Sequence, residues 1–272
     1  MMRQIKAGGF EVEYLAAGAG PVVVLLHSSA SGLRQWRRLV EELQGGYRVL
    51  AVNLCGYGGT SPWPADARQT LADQAGLVAA VVSQLDEPVT LVGHSLGGAV
   101  ALETALHLGI RLRAVIAFEP ILFSLLRTHG PADAFTEIHE LSMRYQALGT
   151  TGQWDRAGEL FIDYWSGTGS WSAMPEERKA GLRMMLPNVL HEWDAVIALS
   201  RPLPDWGNIP APVHLLRAAD TRRPTHAVAS LLMQTHRPWR LHELAEGGHM
   251  APLSRPDLVN PLIANILTEV AS

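Results

Sequence analysis

The sequence has little that is typical of secreted, membrane or nucleic-acid-binding proteins. It has one cysteine, Cys55, so no disulfide can form within the chain and a cysteine-based metal site is excluded. No apolar run approaches the roughly 18 residues of a membrane-spanning helix, and residues 1–10 lack the apolar core of a signal peptide. A formal net charge of -4 gives no general attraction to nucleic acid or anionic lipid. We therefore expect a cytoplasmic protein whose partner is a small molecule, not nucleic acid or a membrane.

The pattern of apolar residues predicts an α/β protein. A length of 272 residues, with 47% hydrophobic and 18% charged residues, is enough for one large globular domain. Apolar strand-like runs alternate with helical patterns, which indicates a mostly parallel sheet covered by helices on both faces. Strands are predicted at residues 10–16, 22–26, 47–52, 89–92, 113–118, 213–217 and 239–244. Helices are predicted at residues 33–43, 70–85, 224–234 and 257–270.

The alternation of strands and helices is interrupted between residues 121 and 206. This stretch has no clear strand and holds five of the eight tryptophans in the sequence. Because the strand pattern resumes at residue 213, we predict a helical insertion at 121–206 and not a separate domain. The core would then consist of residues 1–120 and 207–272.

A Gly-x-Ser-x-Gly pentapeptide, residues 93–97, lies between an apolar strand and an apolar helix. A serine at such a strand-to-helix turn is held in a strained backbone conformation, with its hydroxyl exposed at the end of the sheet near the positive end of the helix. Glycines flank it because neighbouring chains pass too close for side chains. Ser95 is therefore a candidate nucleophile; a packing turn is the alternative interpretation.

This order of elements around Gly-His-Ser-Leu-Gly-Gly resembles the α/β-hydrolase fold. The resemblance covers essentially the whole chain in layout, and its specific motifs lie at residues 25–36, 53–60, 93–98, 119–120 and 247–253. It implies a mostly parallel sheet of about eight strands with helices on both faces and a helical cap inserted after strand six. It also implies a catalytic triad in the chain order serine, acid, histidine.

The resemblance identifies His249 as the catalytic base, because this residue follows the last strand behind two glycines. Two residues are candidates for the acid. Asp220 follows the strand at 213–217 and precedes His249 by 29 residues, whereas Glu119 follows the strand at 113–118, 24 residues after Ser95. Either carboxylate could accept a hydrogen bond from the His249 ring. Asp220 could instead cap a helix or pair with a neighbouring arginine, and Glu119 could be a carboxylate at the hinge of the insertion.

The segment from His27 to Ser31 follows the first central strand, where the family usually has His-Gly. Its backbone is predicted to line an oxyanion hole through Ser29, with Ser28 beside it and the N–H of Leu96 as the second donor. Ser28 in place of glycine is a departure from the family pattern, and capping of the following turn is the alternative role for these serines. His27 and His94, which lie within these motifs, are predicted to contact the substrate.

The chemistry that the resemblance implies is nucleophilic acyl transfer without a metal or a cofactor. A serine nucleophile argues against the dehalogenase and epoxide hydrolase reactions of this fold, which use an aspartate at that position. Trp165 and Trp193 of the insertion are predicted to line an apolar pocket for a small or medium-sized ester, thioester or lactone, although each could simply pack helices together.

Two other functions stay open on the sequence alone. The fold can host a ligand receptor with slow turnover, or an enzyme that uses the same serine and histidine for perhydrolysis or cofactor-free oxygenation. The substrate is not readable from the insertion. The oligomeric state is equally hidden, and both a monomer and a dimer are compatible with the sequence.

Overall fold

A computed structural model describes residues 1–108, 111–198, 201–235 and 239–271 of the chain. The parts of the predicted core and insertion at 109–110, 199–200, 236–238 and 272 lie outside the described residues. The described strands are β1 (Met2–Ala7), β2 (Phe10–Ala17), β3 (Val22–Leu26), β4 (Arg48–Val52), β5 (Val89–His94), β6 (Leu112–Phe118), β7 (Val213–Ala218) and β8 (Arg240–Leu244).

These strands form one sheet in the order β1-β2-β4-β3-β5-β6-β7-β8. The β1–β2 and β2–β4 pairs are antiparallel and all the others are parallel, which confirms the predicted α/β-hydrolase fold with a mostly parallel sheet. Leu26 lies opposite Gly93, and His94 lies opposite Phe118. The loops that follow β3, β5 and β6 therefore meet at one edge of the sheet.

Helices cover both faces of the sheet. They are α1 (Arg37–Leu43), α2 (Leu71–Val82), α3 (Leu96–Leu108), α4 (Ser124–His129), α5 (Ala132–Thr150), α6 (Trp154–Ser166), α7 (Glu176–Ile197), α8 (Arg223–Thr235), α9 (Ala251–Ser254) and α10 (Pro256–Ala271). Alternate residues of β3 belong to different apolar clusters: Val24 and Leu26 pack with α2 and α3, and Val23 and Leu25 pack with α1 and α10. This burial on both sides explains why β3 has no polar residue.

Most predicted element boundaries lie within a residue or two of the observed ones, with two differences in the helices. The predicted helix at 33–43 begins as a 3-10 helix, Leu33–Trp36, before α1. The predicted helix at 70–85 ends at Val82. Thr70 caps its start, because its side chain accepts a hydrogen bond from the Asp73 N–H and the Asp73 carboxylate accepts one from the Thr70 N–H. Such a capping box satisfies helix donors that have no partner within the helix.

The segment between β6 and β7 is helical, as predicted. It contains α4, α5, α6 and α7 and a 3-10 helix, Leu203–Asn208, and its described residues include no strand. Tyr145 of α5 fastens α5 to α7, because its hydroxyl donates to the Leu186 carbonyl at 2.7 Å and its ring meets that of Trp193. We call residues 121–206 the helical insertion. Across the described part of the chain, no helix has the length and apolar character needed to cross a membrane.

Candidate active site

Ser95 lies in the turn between β5 and α3, in a backbone conformation that residues other than glycine rarely adopt. Its φ is 56°, in the left-handed region, and its N–H donates to the Phe118 carbonyl at 2.9 Å. Gly97 leaves room for this turn: a Cβ there would lie 2.3 Å from the Leu26 carbonyl oxygen and 2.5 Å from that of His27. The glycine is therefore needed for close approach of two backbones.

The side chains of Ser95, His249 and Glu119 form a continuous hydrogen-bonded chain. Ser95 Oγ lies 2.9 Å from His249 Nε2, and His249 Nδ1 lies 2.7 Å from Glu119 Oε2. All three residues are buried, with 4% of Ser95, 3% of His249 and none of Glu119 exposed. This burial shields the chain from competing water.

Glu119 is held in place by two further hydrogen bonds. Its Oε1 accepts from the Ala218 N–H at 2.9 Å, and its Oε2 accepts from the Thr221 hydroxyl at 2.6 Å as well as from His249. The residue directly follows β6 and has a φ of 43°. The backbone turn there aims the carboxylate at the histidine loop.

Asp220, the other candidate acid, does not contact the imidazole of His249. Its two carboxylate oxygens accept from the backbone N–H groups of Gly247, at 3.2 Å, and Gly248, at 2.8 Å, and its side chain is exposed. Of the two candidate acids, the structure thus brings Glu119, and not Asp220, to the imidazole of His249. The Asp220 carboxylate instead fixes the loop that presents His249, because two charge-assisted hydrogen bonds hold that backbone.

His27 and His94, predicted to contact the substrate, are instead fully buried supports. Nε2 of His27 accepts from the Leu54 N–H at 3.0 Å, which leaves its Nδ1–H to donate to the Ser28 carbonyl at 2.8 Å. Nε2–H of His94 donates to the carbonyl of His249 at 2.8 Å. Burial lowers the pKa of His27 to about 4 and holds that of His94 well below its usual range, so both rings are neutral near pH 7.

Gln35, which no sequence motif singled out, links the segment after β3 to His94. Its Oε1 accepts from the N–H of Ser28 at 3.0 Å and from the hydroxyl of Ser28 at 2.8 Å. Its Nε2 lies 3.2 Å from Nδ1 of His94. The Ser28 N–H is thus bonded within the protein and is not free to donate to an oxyanion, and the bonds to Gln35 accommodate a serine where the family usually has glycine.

Ser29 and Leu96, the two predicted oxyanion donors, both lie near Ser95 in the structure. Ser29 lines both cavities that reach Ser95. Leu96 is the first residue of α3, so its N–H precedes the hydrogen-bond ladder of the helix.

Two adjoining cavities lie between the sheet edge and the helical insertion. Counted together with the solvent-filled space at their openings, the outer cavity has about 550 Å³ and the inner one about 260 Å³. Trp165 lines both, and its ring centroid lies 4.2 Å from that of His249. Trp193 lines only the inner cavity. His249 lines the outer cavity and not the inner one.

Glu192 of α7, which sequence reasoning missed, contributes a carboxyl group to the inner cavity. The residue is 2% exposed, and its Oε1 accepts from the Tyr57 hydroxyl at 2.6 Å. Tyr57 in turn accepts from the Ala30 N–H at 2.8 Å. Burial raises the pKa of Glu192 to about 7, against the opposing effect of the neighbouring Ser29 and Tyr57 hydroxyls. No sequence signal marked it, because a glutamate in an amphipathic helix is usually solvated.

Comparison with known proteins identifies the family. The sequence profile of the Alpha/beta hydrolase family matches residues 23–262, which is most of the chain. The chain belongs to this family. The match begins in β3 and ends in α10, so it includes Ser95, Glu119 and His249.

Individual relatives have different activities. The chain is 27% identical to lipase LipV of Mycobacterium tuberculosis over 256 residues, 92% of this chain and 94% of that protein. It is 37% identical to a haloalkane dehalogenase of Agrobacterium fabrum over 119 residues, 43% of this chain and 38% of the dehalogenase. The match covers less than half the length of the dehalogenase, and the same is true of three other curated relatives that this chain matches over part of its length.

Solved structures share the fold at low sequence identity. The enol-lactonase from Burkholderia xenovorans LB400 superposes with a TM-score of 0.78 and 18% identity, covering 98% of this chain and all of the other. At this identity the likeness demonstrates the fold and not the substrate.

Proposed function

We propose that this protein is a serine hydrolase that cleaves a small to medium-sized apolar carboxylic ester, thioester or lactone. The observation that carries the proposal is the chain of contacts from Ser95 through His249 to Glu119. A nucleophile, a base and an acid within hydrogen-bond distance are the parts that acyl transfer needs. Two of the similar proteins are named a lipase and an enol-lactonase, which is compatible with ester-bond chemistry.

In the proposed mechanism, His249 acts twice on protons. Its Nε2 accepts the proton of Ser95 as Oγ attacks the substrate carbonyl, and it then donates that proton to the leaving oxygen. Glu119 accepts from Nδ1–H, which fixes the tautomer whose Nε2 faces Ser95 and stabilises the imidazolium. Water, activated by the same base, releases the acyl group from Ser95.

The negative charge that develops on the carbonyl oxygen is assigned to two backbone donors. These are the N–H groups of Ser29, which lines the inner cavity together with Ser95, and of Leu96, which begins α3. Each such donor typically contributes on the order of 3 kcal/mol to the stability of the transition state. The positive end of α3 supports the same charge.

The helical insertion is assigned the role of a cap that shapes the substrate pocket. Phe161 and Trp165 of α6 line both cavities, and Trp193 lines the inner one. Such aromatic walls favour apolar groups and exclude water from the acyl-enzyme. The limited free space favours short acyl groups over long ones.

The proposal is tested by hydrolysis of 4-nitrophenyl esters from acetate to dodecanoate, with intact-mass detection of an acyl-enzyme. We expect multiple turnover that is greatest for short acyl chains and is abolished in Ser95→Ala. Ser172→Ala, which removes an exposed hydroxyl of the insertion, is the matched control and should behave as wild type.

Three outcomes would contradict the proposal. Turnover that persists without Ser95 would exclude it as the nucleophile. A single slow turnover with a retained product would favour a ligand receptor. Activity that requires peroxide or oxygen, with weak ester hydrolysis, would favour the non-hydrolytic alternative.

A further inference from the structure

The inner cavity holds a buried carboxyl oxygen that no residue of the described chain satisfies. Oε1 of Glu192 accepts from Tyr57, and the Ser29 hydroxyl lies close enough to the carboxyl group to lower its pKa, but no described residue meets the geometry of a hydrogen bond to Oε2. A buried acceptor without a partner is costly, by an amount comparable to a lost hydrogen bond, so it calls for a physical explanation. A bound substrate could supply the missing partner, because the inner cavity also reaches Ser95.

A second unpartnered polar group lies in the wall of the same cavity. The indole Nε1–H of Trp193, the next residue along α7, is buried and has no acceptor within the described part of the chain. The rest of the wall is mainly apolar, with Ile121, Phe161 and Val189 among its members. One acceptor and one donor in an apolar cavity match a hydroxyl group, because a hydroxyl both donates and accepts.

The position of His249 determines which part of the substrate reaches Glu192. His249 lines the outer cavity, and in the proposed mechanism it delivers a proton to the leaving oxygen. The leaving group must therefore lie on the outer side of Ser95. The acyl group is then directed into the inner cavity, where Glu192 and Trp193 lie.

We infer that Glu192 is a specificity-determining residue that accepts a hydrogen bond from a hydroxyl on the acyl group, so that the substrate class is esters of short hydroxy acids. This inference rests on the proposed function for the assignment of the acyl side. The carboxyl group titrates near pH 7, so at neutral pH it is a poor permanent counterion for an ammonium group. A neutral hydroxyl is held by either protonation state.

The test compares esters that differ only by a hydroxyl: 4-nitrophenyl butanoate against its 2-hydroxy and 3-hydroxy derivatives, and the hexanoate against its 6-hydroxy derivative. The measured quantity is the ratio of kcat/KM for the hydroxylated ester to kcat/KM for the plain ester. We expect a ratio of about 10 or more for at least one pair in the wild type. In Glu192→Leu that ratio should fall to about one or below.

Further variants separate recognition from damage to the fold. Glu192→Gln keeps an acceptor oxygen and should retain part of the preference, and Trp193→Phe should lower it. Asp194→Asn changes a carboxylate on the same helix. Because Asp194 lines a separate surface depression with Asp66, this variant should keep the wild-type ratio of kcat/KM values. Any general loss of activity cancels in the ratio, and circular dichroism checks that each variant folds.

Binding to Ser95→Ala provides a readout that does not depend on turnover. Ethyl butanoate and ethyl 3-hydroxybutanoate are titrated by calorimetry into Ser95→Ala, with and without Glu192→Leu. If Ser95→Ala binds the hydroxylated ester more tightly and Glu192→Leu removes that difference, the recognition of the hydroxyl by Glu192 is supported. If the wild type also shows no ester turnover, the hydrolase proposal is overturned. Ester turnover with no hydroxyl preference, or with a preference unchanged in both Glu192→Leu and Glu192→Gln, would overturn this inference alone.

Discussion

Replacing Glu192 by glutamine is expected to stabilise the protein at high pH and to have little effect at low pH. Burial raises the pKa of the folded-state carboxyl from 4.5 to about 7. Between these two values the folded protein holds a proton that the unfolded chain has lost, so stability falls as the pH rises. The contribution of Glu192 is fully present below about pH 4.5 and is lost once the pH has passed about 7.

The size of this effect follows from the two pKa values. One pKa unit corresponds to about 1.4 kcal/mol, so the difference between 4.5 and 7 amounts to about 3 kcal/mol. His27 and His94 act in the opposite direction, because burial lowers the pKa of each and their unfolded states take up protons first. Both proteins keep these histidines, so their contribution cancels in the difference between Glu192→Gln and wild type.

Urea unfolding followed by tryptophan fluorescence measures this difference at about pH 5 and about pH 8. The free energy of unfolding of Glu192→Gln minus that of wild type should increase by about 2–3 kcal/mol from the lower pH to the higher one. Asp194→Asn, on the same helix, should run parallel to wild type. A difference between Glu192→Gln and wild type that is the same at both pH values would refute the assignment of a raised pKa to Glu192.

Two more predictions concern the histidine and the nucleophile turn. Glu119→Gln should lower kcat on 4-nitrophenyl esters by about 10³ to 10⁴, because it no longer fixes the His249 tautomer, whereas Asp220→Asn should cost less than about 10-fold. The reverse order would reinstate Asp220 as the acid. Gly97→Ala should destabilise the fold by about 3 kcal/mol or more in urea unfolding, since its Cβ meets backbone oxygens. Gly76→Ala in α2, where a Cβ meets nothing within 4 Å, should instead add about 0.5–1 kcal/mol, and equal effects at the two glycines would contradict the steric argument.

The buried strands were predictable because a strand buried on both faces consists mainly of apolar residues. β3 is buried on both faces and reads as five consecutive apolar residues, Val22–Leu26, and β7 is buried along its whole length. The nucleophile turn was predictable for a related reason. A strand, a tight turn with glycines and a helix are all local in sequence, so no long-range contact has to be known.

The choice between Glu119 and Asp220 could not be made from the sequence. Both carboxylates follow the carboxyl ends of adjacent strands, β6 and β7, so both emerge at the edge of the sheet where His249 lies. What separates them is the direction of each side chain after the turn. That direction depends on the φ of 43° at Glu119 and on the hydrogen bonds from Ala218 and Thr221 to its carboxylate, which are contacts between distant parts of the chain.

His27, His94 and Glu192 illustrate the limit of assigning roles to polar residues by motif. The two histidines lie within the predicted motifs, yet the ring nitrogens of each are hydrogen-bonded within the protein and are not available to a substrate. Glu192 lies outside every motif, yet one of its carboxyl oxygens has no hydrogen-bond partner among the described residues and lies at a cavity that reaches Ser95. Partner satisfaction, which only the three-dimensional contacts reveal, separates a supporting residue from one that can bind a ligand.

The contacts of Glu192 also connect the helical insertion to the loop that is assigned to the oxyanion. Its Oε1 accepts from Tyr57, and the Tyr57 oxygen accepts from Ala30, whose φ of 55° is a strained conformation next to Ser29. One oxygen of this carboxyl group therefore holds the Ala30 N–H in position through Tyr57, and the other faces the inner cavity. Since a hydroxyl bound to Oε2 would polarise the bond to Tyr57, acyl-group recognition and the geometry of the oxyanion loop are physically coupled.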